Sequence, residues 1–294
     1  MRFASYRQGD AVSYGLVDRA GVLDLPKVAR GMPADLLGLI AGGTQALGAV
    51  RAAASGGGAR AELSTLPLLA PIPRPGKNVF CVGRNYKEHV AEGYRARGAE
   101  TKLPDYPQFF TKPPTAVIGP GAPFYHDPNV TKRLDYEVEL ALVIGTAGRD
   151  IPRARAMDHV FGLTVLNDIT GRDLQRRHDQ WFKGKGLDRS CPMGPVLVTP
   201  DEIADLGALE LICRVNGEER QRSTVRQMIF DIPEIIAQLS TGLTLEPGDI
   251  IATGTPPGVG YAMDPPHYLV AGDVVECSID GIGMLRTPIE EYRA

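Results

Sequence analysis

Two glutamates, Glu137 and Glu139, stand two residues apart in the stretch KRLDYEVELALVIG. In a strand, alternate side chains share a face, so the two carboxylates point the same way, about 6.6 Å apart along the backbone. Asp135 has the same parity, and Leu134, Tyr136, Val138 and Leu140 fall on the other. Like charges this close repel, and one must take up a proton or share a cation. Carboxylate oxygens suit a hard ion such as Mg²⁺, Mn²⁺ or Ca²⁺ rather than Zn²⁺ or Cu²⁺. A lone Glu-x-Glu is more often a solvated strand face, so a third oxygen ligand is required before a metal is argued. Asp168, at the end of the apolar run in VLNDITGRD, is a candidate, although a turn or a helix cap explains such an acid equally well.

Other segments carry separate signals. In RNYKEHVAE, His89 and Glu92 are three apart and share a face of a helix. A carboxylate beside an imidazole fixes its tautomer and raises its basicity, which suits water activation. The competing reading is a surface helix with solvated charges. WFKGKGLDRSCPMGP places Lys183 and Lys185 in a glycine-rich loop, where a lysine can support an oxyanion or simply keep the loop soluble. ATGTPPGVG lacks the Gly-Lys-Ser/Thr ending of a P-loop and reads as a rigid loop that offers N–H groups and the Thr255 hydroxyl to a small anion. Packing is the simpler reading of His178 and Trp181.

The elements that must position these groups are mostly strands. Residues 1–26 read as short strands and 27–66 as helical, and the proline-rich LAPIPRPGKN marks a boundary between a small N-terminal domain (1–70) and a larger one (71–294). Beyond it NVFCVG, VELALVIG and FGLTVLNDIT read as strands. LELICRVNGEERQ reads as a hairpin turning at Asn216-Gly217, and MIFDIPEIIAQLSTG as a helix ending at Gly242. NYKEHVAE begins a helix with Asn85 as its expected N-cap. This order indicates an α+β class, not regular βαβ repeats.

The 294 residues suffice for a large core, and 43% hydrophobic with 23% charged is a globular balance. A net charge of −3 with interspersed signs gives no nucleic-acid footprint. No apolar run is long enough to span a membrane, and MRFASYRQGD has no signal-peptide core. Four scattered cysteines without CxxC spacing indicate reduced thiols in a cytoplasmic protein.

In order, GRNYKEHVAE, DYEVELALVIG, GLTVLNDITGRDLQ, KGKGLDRSCPMGP and LEPGDIIATGTPPGVG closely resemble the fumarylacetoacetate hydrolase family, acylpyruvate hydrolase-like members included, from about Lys77 to about Gly283. The resemblance implies a mixed β-roll core, a variable N-terminal domain and a homodimer. It implies that Glu137, Glu139 and Asp168 are metal ligands for Mg²⁺ or Mn²⁺, with Ca²⁺ as a substitute in crystals. Lys185, six residues before Cys191, would contact substrate, as would Arg172, Gln175 and Thr255. His89 and Glu92 would form the water-activating pair on a lid running from Arg84 to about Lys102. The implied activity is hydrolysis of a C–C bond in a 1,3-dioxo acid, in aromatic or sugar catabolism, with pyruvate leaving as an enolate. A decarboxylase, isomerase (2-hydroxymuconate type) or hydratase reaction at this site is the alternative, some such relatives handling the His89/Glu92 segment differently, and a non-catalytic metal and small-acid binder is a further reading. Asp135 is left over, to pair with Lys132 or Arg133 or to hold a water.

Overall fold

The computed structural model describes residues 1–293. Its centre is a mixed eleven-stranded sheet. Val138–Ile144 lies in the middle, antiparallel to Val160–Asn167 on one side and to Ile250–Ala252 on the other. Cys191–Val198 continues the sheet beyond Val160–Asn167, and Val79–Gly83 and Gln108–Lys112 complete the opposite end. The first 70 residues contribute the far end of this sheet, through Arg2–Gln8 paired with Cys191–Val198. A second sheet of five strands is built on the hairpin Glu210–Val215/Glu218–Thr224, with Val274–Ile279, Gly283–Glu291 and Phe124–His126 beside it. The hairpin turns where expected. Asn216 and Gly217 have φ of 53° and 82°, the pair of positive values a type I′ turn demands.

The central strand is buried on both faces. Leu134, Tyr136, Val138, Leu140, Leu142 and Ile144 enter the core between the two sheets, beside Leu211, Cys213, Val275, Cys277 and Leu285. Ala141 and Val143 enter a second core under the N-terminal elements, with Phe3, Tyr14, Leu23, Leu36, Leu39 and Ile40. The alternation in the sequence is therefore real, but both of its faces are interior. Full burial of each such aliphatic side chain contributes roughly 1.5–3 kcal/mol. That surplus holds polar groups in an interior they would otherwise leave.

The stretch is also not one strand. Leu134–Asp135 pairs with Thr170–Gly171, and the long strand begins only at Val138. The break at Tyr136–Glu137 separates Asp135 from the two glutamates.

Two helices have nine residues each. Ile232–Ser240 is capped by Asp231, whose side chain accepts the Glu234 N–H, and it buries Ile232, Ile235, Ile236 and Leu239 at helical spacing. Lys87–Arg95 buries His89, Val90, Glu92 and Gly93. Its N-cap is Tyr86, without a side-chain bond, so the expectation of an Asn85 cap is corrected. Asn85 is fully buried instead. It accepts the Phe230 N–H at 2.8 Å and donates to the carbonyls of Phe230 (3.0 Å) and Thr253 (2.8 Å). The amide satisfies three loop groups at once, which outweighs one cap in an interior where unmet polar groups are costly.

Candidate active site

Glu137, Glu139 and Asp168 meet at the end of the central strands. Each offers a carboxylate oxygen, and these oxygens lie within 4.8 Å of one another. All three residues are buried. Strand pairing brings Asp168 to the glutamates: its N–H donates to the Glu137 carbonyl at 2.9 Å, and Asn167 Oδ1 accepts the Glu137 N–H at 3.1 Å. Glu139 accepts the Gly254 N–H at 2.8 Å. Gly254 has φ of 99°, a backbone that only glycine adopts freely.

Cations are distributed unevenly around the acids. Lys185 Nζ donates to Glu137 Oε2 at 2.8 Å and to Asp168 Oδ2 at 2.6 Å. Lys112 Nζ, with no exposed surface, donates to Asp168 Oδ1 at 2.6 Å, to the Ile169 carbonyl at 3.1 Å and to the Lys185 carbonyl. Arg172 Nε donates to Asp135 Oδ2 at 2.8 Å, and its Nη2 lies 2.7 Å from Glu137 Oε1, as an ion pair without hydrogen-bond alignment. Four buried carboxylates (Asp135, Glu137, Glu139, Asp168) thus face three buried cations (Lys112, Arg172, Lys185), leaving one uncompensated negative charge.

That charge falls on Glu139, which pairs with no cation among the described residues. Burial, followed by the neighbouring Asp168 and Glu137, pushes its carboxyl well above the ordinary range. Burial would also raise Glu137, but Lys185 and Arg172 outweigh it and hold this carboxyl at about 2. Burial would lower Lys185, yet Asp168 and Glu137 raise it above its usual value, so it stays an ammonium. A divalent cation fits here. Every donor is a hard oxygen, and the one unbalanced carboxylate is where an added positive charge is favoured over a proton.

Asp135 belongs to a different cluster. It pairs with Arg172 and accepts the N–H groups of Gly260 (2.8 Å) and Tyr261 (3.1 Å). The expected pairing with Lys132 or Arg133 is corrected: before the break at Tyr136–Glu137 this acid bonds Arg172 and the 258–261 loop instead. Arg172 in turn lies over the Tyr261 ring, 4.5 Å from its centre.

The triad opens on a cavity of ≈ 470 Å³ lined by Glu137, Glu139, Lys185, Arg172, Gln175, Thr255 and His89. His89 Nδ1 lies 2.8 Å from Glu92 Oε1, and Glu92 Oε2 accepts the Gly258 N–H at 2.8 Å. With Nδ1–H given to Glu92, the assigned tautomer leaves Nε2 as a bare acceptor. Arg172 Nη1 donates to Gln175 Oε1 at 3.3 Å. Thr255 lines the cavity, but its hydroxyl proton goes to the Val138 carbonyl (2.9 Å) while the oxygen accepts from Gln221 (2.8 Å). All nine residues singled out in the sequence therefore gather in one region, with Glu92 and Asp168 behind its wall.

Residues 78–290 match the family described as fumarylacetoacetate (FAA) hydrolase, C-terminal. The chain belongs to the fumarylacetoacetate hydrolase family. It is 44% identical to the oxaloacetate tautomerase YisK of Bacillus subtilis, over 98% of this chain and 100% of that protein. The structure is similar to that of a fumarylacetoacetate hydrolase from Exiguobacterium antarcticum, with a TM-score of 0.80 and 39% identity over 99% of this chain and 100% of the other. It also resembles the maleylpyruvate hydrolase of Sphingobium sp. SYK-6, described in complex with manganese (II) ion and pyruvate, with a TM-score of 0.80 and 31% identity over the whole of both chains. The protein is therefore an enzyme of this family. No helix among the described residues is long and apolar enough to cross a membrane.

Within this family frame, sequence reasoning missed several groups. Lys112 was legible only as a lone lysine inside the apolar FFTKPP. Trp181, read as packing, both packs and lines the cavity: its ring meets Phe110 edge-on at 5.5 Å between centres. It lies so close to Gly83 that a Cβ there would come within 2.1 Å of the indole. His178 is exposed and does not line the cavity.

Proposed function

We propose that the protein is a divalent-metal-dependent keto–enol tautomerase of an oxaloacetate-type 2-oxo acid. The observation that carries this reading is that a bare imidazole nitrogen and a buried oxygen triad open on one cavity. The 44% identity to YisK over 98% of this chain supports it. Bound at Glu137, Glu139 and Asp168, a Mg²⁺ or Mn²⁺ ion would supply Lewis-acid stabilisation of negative charge on the substrate oxygens. The chain's own groups handle the proton. His89 Nε2 takes it from C3 as the C–H electrons form the C2=C3 bond and the carbonyl π pair moves onto the 2-oxygen; that oxygen then takes a proton from solvent to complete the enol, and the imidazolium returns its proton to solvent. Glu92 stabilises the imidazolium formed in that step. The Lys185 ammonium adds positive charge beside the developing oxyanion. Gln175, whose Oε1 is held by Arg172, keeps its amide N–H groups for the substrate and orients it.

A second reading, C–C bond hydrolysis of a 1,3-dioxo acid, uses the same His89 Nε2 to take a proton from water. The similarity to maleylpyruvate hydrolase favours keeping it. The experiment follows decay of oxaloacetate enol absorbance with Mg²⁺, Mn²⁺ or EDTA, beside pyruvate release from acylpyruvates. Metal-dependent enol decay without pyruvate release is expected. Pyruvate release with no effect on the enol overturns tautomerisation in favour of hydrolysis, and full activity in EDTA overturns the metal in both readings.

A further inference from the structure

We propose that Arg84, Arg97 and Arg176 form a second anion subsite at the mouth of this cavity, which takes the distal carboxylate of a dianionic 2-oxo acid. The assignment rests on the tautomerase reading and names the residues that would select its substrate. All three arginines line the cavity that holds the triad. Unlike Arg172, which is committed to Asp135 and Glu137, none of the three forms an ion pair or side-chain hydrogen bond among the described residues. The one carboxylate lining the mouth is the exposed Asp179, so one negative charge meets three positive ones. The buried end is different: its cations are already taken up by carboxylates.

Two of the guanidiniums are held in place rather than left free. Arg84 lies over Trp181, 5.7 Å from the ring centre, and Arg176 over Tyr261 at 5.8 Å. Stacking on a ring face orients the planar fork while its N–H edges stay open to a carboxylate. Arg84 also has φ of 56°, a strained backbone for a side chain with a Cβ. Such strain persists where the surrounding structure over-determines the residue, and it is frequent at ligand sites. Arg97 follows the Lys87–Arg95 helix that carries His89, so the subsite joins the helix bearing the proton acceptor to the Arg172–Arg177 helix bearing Arg176. A substrate anchored at both carboxylates would thereby be held between these two helices.

The experiment compares oxaloacetate with its 4-methyl ester, which keeps the 2-oxo acid and loses the distal charge, in wild type and in Arg84→Gln, Arg97→Gln and Arg176→Gln, with Arg→Lys at each position as partial rescue. Loss of a charge-assisted bond raises KM for oxaloacetate about tenfold or more, with a smaller change in kcat and little change for the ester. Direct titration of the Mg²⁺-loaded protein with the acid and the ester reads the same preference without turnover. Variants that keep the wild-type preference for acid over ester overturn the subsite and reduce the arginines to a solvated rim. If the wild type tautomerises neither compound and the variants still lose the wild-type binding preference for the acid, the tautomerase reading is overturned and the subsite stands.

Discussion

Glu137 and Glu139 stand two residues apart in the same acidic cluster and carry opposite electrostatic loads. Both are buried, but Glu137 has Lys185 and Arg172 beside it and is held at about 2, whereas burial, then the acidic Asp168 and Glu137, push Glu139 well upward against a single backbone N–H. Glu137 therefore favours its charged form, and Glu139 gives up its proton far less readily.

Metal binding should release a proton. Burial, Asp168 and Glu137 push the Glu139 carboxyl well above its ordinary range, and it must be ionised to act as a ligand, so affinity rises with pH for as long as that carboxyl still holds a proton. Calorimetric titration with Mn²⁺ in buffers of different ionisation enthalpy measures the protons released. About one per ion is expected, and none would contradict the assignment of the missing charge to Glu139.

Glu139→Gln should abolish tight metal binding and yet stabilise the metal-free protein. The sign follows from the raised pKa: the folded state holds a proton that the unfolded chain has lost, so wild-type stability falls as pH rises above the ordinary value of 4.5. The variant has no such proton. Its advantage in denaturant melts should grow with pH above 4.5, by at most about 1.4 kcal/mol per unit, and vanish below it.

Lys112→Met removes the one donor that serves Asp168 Oδ1, the Ile169 carbonyl and the Lys185 carbonyl together. Breaking a buried pair from one side costs about 3–5 kcal/mol. Thermal unfolding should show a lower Tm in the absence of metal. An unchanged Tm would mean that Lys112 does not hold this corner of the site.

His89→Gln should lower kcat by roughly 10²–10⁴ while leaving Mn²⁺ affinity close to wild type, because the imidazole works as a proton acceptor and not as a ligand. Glu92→Gln should give a smaller loss, since Nε2 remains. Parallel turnover and metal titrations separate the two roles. An equal loss of metal binding in His89→Gln would place the histidine among the ligands.

Trp181 is the chain's single tryptophan, so emission excited selectively at the indole, beyond tyrosine absorption, reports on the cavity wall. Substrate or product binding should change it. Gly83→Ala should shift it without any ligand, since the added methyl would come within 2.1 Å of the indole and the ring must move. An emission spectrum identical to wild type would show that the ring does not rest on Gly83.

Local pattern reaches far in this chain. The period-2 alternation of Leu134 to Leu140 placed those residues in one core because a strand's faces are set by backbone geometry alone. The Asn216-Gly217 turn and the Ile232–Ser240 helix were equally local, each specified by residues within a turn of one another. The five ordered motifs pointed to the family, and the residues they marked converge on one cavity.

What only the tertiary structure decided is charge balance, because pairing across the fold has no signature in spacing. Nothing near Asp135 in sequence announces Arg172, 37 positions away, and nothing in FFTKPP announces that Lys112 reaches Asp168, 56 positions on. Sequence alone put three acids on one strand face. Folding sent Asp135 to one cation, gave Glu137 two, and left Glu139 with none, because in a buried site the energy of each carboxylate depends on which distant charges the packing brings beside it.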